Sequence, residues 1–132
     1  VGLAAPQVGL DWRMFVTAGF AEAEHEDDEP GPDRAFINPT LEVTRGELVS
    51  QEEGCLSLPD IRCEVRRPPG ATIQATNLAG EQFEMHAEGF LARVWQHEFD
   101  HLNGVLIIDK MLPMDRLRTR KQLKDLEAAA AR

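Results

Sequence analysis

The stretch QHEFDHLNGVLIID, residues 96–109, carries His97, Glu98 and His101 in the order H-E-x-x-H. If these residues are helical, the two histidines lie one turn apart on one face and can bind a single metal ion. The glutamate beside the first histidine can then exchange protons with a water held at that metal. Two histidines and a water leave a tetrahedral site one protein ligand short, so the third ligand decides the class of chemistry.

A helix is the structure that this stretch predicts. Motif residues and apolar residues recur at steps of three and four over residues 89–102, and Gly104 marks the expected end. A last helix is predicted from about Met114 to Ala129. The strand candidates are residues 13–18, 34–39, 41–44 and 61–67 and the hairpin arms 71–77 and 82–87. The sequence therefore predicts an α+β fold, in which short, mostly antiparallel strands pack around a central helix carrying H-E-x-x-H, followed by a C-terminal helix.

Length and charge limit the class of protein. The 132 residues are expected to form a single domain, and no apolar run approaches the length of a membrane span. The net charge of −9 argues against binding of free DNA. The charge is uneven, because residues 20–34 are rich in acidic side chains, and we expect them to form a solvated surface loop. Residues 110–132 instead carry seven basic and three acidic side chains, a net charge of +4.

The third metal ligand is not found downstream of the motif. One class of metalloproteases continues it as H-E-x-x-H-x-x-G-x-x-H, and Gly104 fits that pattern, but Ile107 cannot bind a metal. The downstream Glu127 lies deep in the basic terminal segment and is a poor candidate. Upstream, His25 sits in the acidic loop and His86 on a hairpin strand, where an exposed histidine has no required function.

The two cysteines are the remaining upstream candidates. A reducing compartment with free thiols is favoured for them over a disulfide. Cys63 lies in an alternating strand, where a cysteine is usually a small buried apolar residue. Cys55 lies in EGCLSLP, where Gly54 is expected to free the backbone and Pro59 to stop any regular element, so that a strained turn aims the thiolate into a cleft. The residues alone leave the choice open.

Three blocks of this chain resemble the signature blocks of the peptide deformylases. They are VGLAAPQ (1–7), EGCLSLP (53–59) and QHEFDH (96–101), in the family's order and spacing. The resemblance runs from the first residue into the terminal helix, and it implies a chain that lacks the family's N-terminal segment. It also implies three metal ligands: Cys55, His97 and His101.

The resemblance implies an activity, a mechanism and a cofactor. Peptide deformylases hydrolyse the N-formyl group of nascent chains that begin with formyl-methionine, and they release formate. Glu98 would be the general base and acid, and the Leu56 backbone N–H and the Gln7 side-chain amide would stabilise the oxyanion. Without the resemblance, Gln7 would simply be a turn residue. Fe(II) is the expected native ion, and Zn, Ni or Co can replace it.

The same resemblance implies a substrate site. Val1, Phe90 and Val94 would form the methionine pocket with His97 in its wall, and Gly2 belongs to a segment that pairs with the substrate backbone. Further substrate-binding positions are Gln51 at the pocket rim, Arg62 on substrate carbonyls, and Glu53, which could pair with Arg67 and brace the Cys55 turn. For Arg62 and Glu53 a plain surface ion pair is an equal alternative.

Two other functions and a location complete the expectations. The alternatives are a zinc endopeptidase and a non-catalytic remnant with a structural metal. In some bacterial members the basic terminal helix docks on the ribosome, and a solvated amphipathic helix is the alternative here. We expect a bacterial cytoplasmic enzyme rather than an organellar one, with no membrane partner.

Overall fold

The computed structural model describes residues 1–23, 27–55 and 58–105, with the backbone alone at residues 55 and 58–63. The chain divides into two compact units. The first comprises Val1–Leu48 and Arg67–Val105, and the second contains Val49–Arg66. The predicted terminal helix, from about Met114 to Ala129, lies outside the described residues.

The first unit is an antiparallel sheet with one helix on one of its faces. The strands lie in the order β1-β2-β3-β6-β7, and each neighbouring pair is antiparallel. Their bounds are Gly2–Ala4 (β1), Met14–Thr17 (β2), Arg34–Val43 (β3), Gly70–Thr76 (β6) and Gln82–Glu88 (β7), and the helix α1 is Phe90–Leu102. The second unit pairs β4 (Val49–Cys55) with β5 (Leu58–Arg67). The predicted α+β fold with antiparallel strands is confirmed.

The strand β3 differs from the sequence prediction, which placed two strands at residues 34–39 and 41–44. The structure has one continuous strand whose register with β6 shifts between Ile37 and Thr40. Asn38 adopts φ 48°, in the left-handed region that asparagine tolerates, and Pro39 supplies no N–H for the ladder. A bulge absorbs both residues, so the strand bends instead of ending.

The predicted hairpin of β6 and β7 is confirmed, with Ile73 opposite Met85 in the antiparallel pair. Asn77 closes the turn, because its Oδ1 atom accepts hydrogen bonds from the backbone N–H groups of Ala79 (3.0 Å) and Glu81 (2.9 Å). Gly80 has φ 82°, which favours a residue without Cβ. Alternation along β6 places Ala71, Ile73 and Ala75 on the helix-covered face.

Aromatic rings from the sheet and the helix fill the core of the first unit. Phe15 and Phe36 stack with ring centroids 4.7 Å apart, and Trp95 of α1 meets Phe36 edge-on at 5.9 Å. All three side chains are fully buried. Trp95 therefore fixes α1 over β2 and β3, which sets the position of the H-E-x-x-H residues that follow.

The acidic loop is more ordered at its base than expected. Gly19–Glu22 forms a 3₁₀ helix, and its Ala21 is buried. The Gly19 N–H donates to Asp33 Oδ1 at 2.7 Å, and Glu22 forms an ion pair with Arg34. These contacts anchor the start and the end of the predicted surface loop, and residues 24–26, with His25, lie outside the described part of the chain.

The local expectation around Cys55 is also wrong. Gly54 lies inside β4 and Pro59 inside β5, so neither residue interrupts a regular element. In a two-stranded sheet each strand has one unpaired side, and a proline whose nitrogen faces that side costs no ladder hydrogen bond. Cys55 is the last residue of β4 rather than part of a strained turn.

Candidate metal centre

Backbone hydrogen bonds fix both ends of the helix α1. Gly89, at φ 68°, donates its N–H to the Pro69 carbonyl at 2.8 Å. At the other end Gly104 adopts φ 74°, and its N–H bonds the His101 carbonyl while the Val105 N–H bonds the Asp100 carbonyl at 2.8 Å. This is a Schellman motif, so Gly104 ends the helix as predicted.

The two histidine side chains face each other across one helical turn. Their Nε2 atoms lie 3.1 Å apart, and their ring planes make an angle of 72°. Two nitrogens bound at about 2.0–2.1 Å to one tetrahedral ion lie about 3.3 Å from each other. The observed spacing fits a shared divalent ion, and the donor atoms of His97, Glu98 and His101 all lie within 4.8 Å of one another.

The electrostatics of His101 suit metal binding. Burial, with a smaller contribution from the nearby His97, lowers the pKa of His101 to about 4. The imidazole is therefore neutral at physiological pH, which is the form that coordinates a metal. Close by, Arg67 Nη1 lies 2.7 Å from Asp100 Oδ2, and this nearly buried ion pair fixes the residue before His101.

Glu98 is a buried acid beside the two histidines. Burial raises the pKa of Glu98 to about 7, although the nearby His97 lowers it in part. Its Oε2 atom has no hydrogen-bond partner in the described part of the chain. A buried carboxylate oxygen without a partner is costly and matches a site that a cation or a polar substrate group completes. The three side chains thus fit a divalent ion.

Gly2 makes room for Glu98. A Cβ atom at this position would lie 2.9 Å from Glu98 Cγ and 3.2 Å from Oε1. The sequence assigned Gly2 to substrate pairing, which stays a prediction, and gave no sign of this contact. Two residues 96 positions apart carry no local pattern that would have revealed it.

Gln7 lies in the 3₁₀ helix Ala5–Val8. Its Oε1 atom accepts a hydrogen bond from the Ala4 N–H at 2.8 Å. This bond orients the side-chain amide, so its nitrogen, the donor end, is directed away from that N–H. The predicted role of Gln7 as a donor requires this orientation.

The other predicted site residues are distributed as follows. Val94 is buried, whereas Val1 and Phe90 are about half exposed. Gln51 is exposed, and Glu53 is buried in β4. Their roles stay predictions. The side chains of Cys55, Arg62 and Cys63 and the whole of Leu56 lie outside the described part of the structure, so the third ligand also stays a prediction.

The geometry defines a class, and the comparisons define a family. Two histidines and a buried glutamate so placed on one helix are typical of metal-dependent hydrolases with an H-E-x-x-H motif. The sequence model of the polypeptide deformylase family matches residues 1–117, and the chain belongs to this family.

Curated relatives and solved structures agree with this assignment. The chain is 47% identical over 130 residues to the peptide deformylase of Thermotoga neapolitana. This match covers 98% of this chain and 73% of that protein. The chain is 46% identical over 132 residues to the peptide deformylase of Thermotoga maritima, and this match covers 100% of this chain and 74% of that protein. The peptide deformylase of Plasmodium falciparum superposes with a TM-score of 0.84 at 36% identity, covering 98% of this chain and 73% of that one. The peptide deformylase of Synechococcus elongatus, solved in complex with actinonin, superposes with a TM-score of 0.80 at 38% identity. The match covers 96% of this chain and 65% of that one.

Family, identity and structural match together support removal of the N-formyl group from nascent polypeptides as the activity of this chain. Neither the zinc endopeptidase nor the non-catalytic remnant is favoured. Among the described residues, no helix is both long enough and apolar enough to cross a membrane.

Proposed function

We propose that the helix site, defined as His97, Glu98 and His101, carries out this deformylation with Glu98 as its general base and acid. The observation that carries the proposal is the pair of Nε2 atoms 3.1 Å apart with a buried glutamate between the two histidines in sequence. A purely structural metal site would have no use for an acid with an unpartnered oxygen.

Each protein group has a defined task in the reaction. A divalent ion held by the histidines would supply a polarised water and electrostatic stabilisation of the formyl oxygen. Glu98 takes one proton as the water oxygen bonds to the formyl carbon, and it returns a proton to the amine nitrogen as the C–N bond breaks. The products are formate and a free α-amino group, and Glu98 ends in its starting state.

Developing negative charge on the formyl oxygen needs donors. We assign this task to the Gln7 side-chain amide and the Leu56 backbone N–H. The support for Gln7 is its bond to Ala4, in which the amide oxygen accepts from the backbone N–H and the side-chain amide is thereby oriented. Leu56 rests on the sequence resemblance.

The methionine side chain requires an apolar wall. Val94 precedes His97 by one turn, and Phe90 precedes Val94 by another turn, so all three belong to one stripe of α1. We propose that this stripe, with Val1, receives the side chain while Gly2 approaches the substrate backbone. The proposed roles of Gln51, Glu53 and Arg62 rest on the sequence resemblance.

We assign the third ligand to Cys55 and the native ion to Fe(II). The support is the second signature block and the preference of thiolate-containing sites for softer transition metals. Zn, Ni or Co would also be accommodated by the two imidazoles. Metal content of protein purified without oxygen, compared with Cys55→Ser, tests this assignment.

Formate release from a formyl-methionyl peptide tests the function. The parent protein, loaded anaerobically with Fe(II) or Ni(II), should release formate, and Glu98→Ala should lose about 10²–10⁴-fold in kcat. Glu88→Ala is the matched control, since Glu88 is an exposed glutamate on β7, and it should retain the parent rate.

Two results would contradict the proposal. Full activity in Glu98→Ala would remove Glu98 from the chemistry. Cleavage of unformylated peptides by the parent, without formate release, would favour an endopeptidase instead.

The basic segment 110–132 suggests a partner. We propose that it contacts the ribosome in the cytoplasm, because a net charge of +4 on an otherwise acidic chain favours RNA. Co-sedimentation with ribosomes that weakens steeply with salt would support this contact. Equal co-sedimentation after removal of residues 110–132 would exclude it.

A further inference from the structure

Three buried polar atoms have no hydrogen-bond partner within the described ranges. They are Thr17 Oγ1, Trp95 Nε1 and Glu98 Oε2. Their residues are at most 4% exposed, so bulk water does not satisfy these atoms. Buried polar groups are nearly always paired in native proteins, and an orphaned group therefore calls for an explanation.

Register places Thr17 next to Glu98. In the β1–β2 pair, Thr17 lies opposite Gly2. The flanking bond from the Ala18 N–H to the Val1 carbonyl marks Gly2 and Thr17 as a narrow, non-hydrogen-bonded pair, in which Cα atoms are about 4.5 Å apart. Gly2 is the residue whose missing Cβ gives space to Glu98, with Oε1 3.2 Å from that position.

The Thr17 side chain also faces the helix. Ala4 and Phe15, the next pair on the same face of β1 and β2, belong to the core cluster that contains Trp95. Thr17 is two residues beyond Phe15, and Glu98 is one helical turn beyond Trp95. Both steps lead from the aromatic core toward the helix site, so the hydroxyl and the carboxylate lie on the same face of the strand pair.

We propose that Thr17 is a positioning residue that holds the Glu98 carboxylate through a hydrogen bond from its hydroxyl to Oε2, made directly or through one bridging water. This inference rests on the proposed role of Glu98. The bond would satisfy both orphaned atoms and fix the carboxylate rotamer, which leaves Oε1 for proton transfer. Threonine suits the task because its β-branched side chain has few χ1 states on a strand.

Kinetics of matched variants test the proposal. Thr17→Val keeps the shape and removes the hydroxyl, and we expect kcat for formate release to fall about tenfold with KM changed less than twofold. Thr17→Ser restores the hydroxyl and should recover most of kcat, which a purely steric role would not produce. Thr76→Val, at a half-buried strand position on β6, is the control and should match the parent.

The outcomes separate this inference from the proposed function. Normal kcat in Thr17→Val, together with loss of activity in Glu98→Ala, would overturn the role of Thr17 and leave the function standing. If the parent releases no formate, the function fails, and the crystal structure of the metal-loaded protein decides the contact. Thr17 Oγ1 within hydrogen-bond distance of Oε2, or sharing one water with it, supports the bond. A hydrogen bond from Trp95 Nε1 to Glu98 Oε2, or the absence of any hydrogen bond between Thr17 and Glu98, direct or through a water, overturns the proposal.

Discussion

Among the described residues of the first unit, two regions place a histidine beside an acid, and only one of them fits a catalytic centre. On the outer face of the hairpin, His86 Nδ1 bonds Thr72 Oγ1 at 2.9 Å, and His86 Nε2 lies 2.9 Å from Glu88 Oε1. This hairpin face, defined as Thr72, His86 and Glu88, reproduces the hydroxyl–imidazole–carboxylate order of a nucleophilic triad.

Solvent exposure separates the two regions. The side chains of His86 and Glu88 are 51% and 62% exposed, whereas His101 and Glu98 are 7% and 4% exposed as residues. Water screens the hairpin pair and solvates its charges, so the interaction between them is weak. At the helix site, burial raises the pKa of Glu98 and lowers the pKa of His101, so that the neutral form of each side chain is favoured. The same residue types therefore have different chemistry because the fold removes one set from water.

The largest expected difference is in metal affinity. His101→Ala should weaken binding of Co(II) or Ni(II) by at least about 100-fold, because it removes one of two imidazole ligands. His86→Ala should leave affinity unchanged. Titration with the metal alone, followed by calorimetry, measures both. Equal loss in the two variants would mean that the hairpin histidine also binds the ion.

The next difference is in stability. Arg67→Met leaves Asp100 without the guanidinium at 2.7 Å, and we expect the free energy of unfolding to fall by about 2–3 kcal/mol. Glu88→Gln removes the carboxylate that contacts His86 on the exposed hairpin face, and it should change the free energy of unfolding by less than about 0.5 kcal/mol. Denaturant unfolding gives both values. A small effect of Arg67→Met would show that the buried pair is replaced by other contacts.

The pH dependence of stability sharpens the contrast. In metal-free protein, burial raises the pKa of folded Glu98 to about 7 from the ordinary 4.5. The acid is neutral in both states below pH 4.5, and its stabilising contribution is lost as the pH rises through 7, because the folded state resists ionisation. As the pH rises from 4.5 to 8, the free energy of unfolding of Glu98→Gln should therefore increase relative to that of the parent by about 1–3 kcal/mol. Unfolding at several pH values measures this gain, and a flat difference would contradict the buried-acid description.

The smallest expected effect concerns two glycines that each abut a glutamate. A Cβ at Gly2 would meet Glu98 Cγ at 2.9 Å, near the fixed end of a buried side chain. A Cβ at Gly70 would contact the carboxylate end of Glu88, which can move into solvent. We expect Gly2→Ala to lower kcat about tenfold by displacing Glu98, and Gly70→Ala to leave it unchanged. Steady-state formate release compares them, and similar rates for both would show that Glu98 tolerates displacement.

Local pattern was sufficient for much of the fold. The three- and four-residue period predicted α1, and Gly104 predicted its end, because a left-handed C-terminal residue is a local requirement. Alternation predicted the hairpin of β6 and β7. The same reasoning was wrong at Pro59, which was expected to stop any regular element but lies inside β5. It also divided β3 into two strands at residues 39–41, where the structure has one strand with a bulge that depends on the register with β6.

The fold class, the helix, the H-E-x-x-H spacing and the family follow from the amino-acid sequence, because periodicity and the three motif blocks lie in consecutive residues. The three-dimensional packing was needed to show which histidine is buried, that Gly2 gives space to Glu98, and that Arg67 pairs with Asp100. Burial and contacts between residues 30 to 100 positions apart depend on how strands and helix pack. They leave no periodic trace in the chain, and they set the charge states on which the site depends.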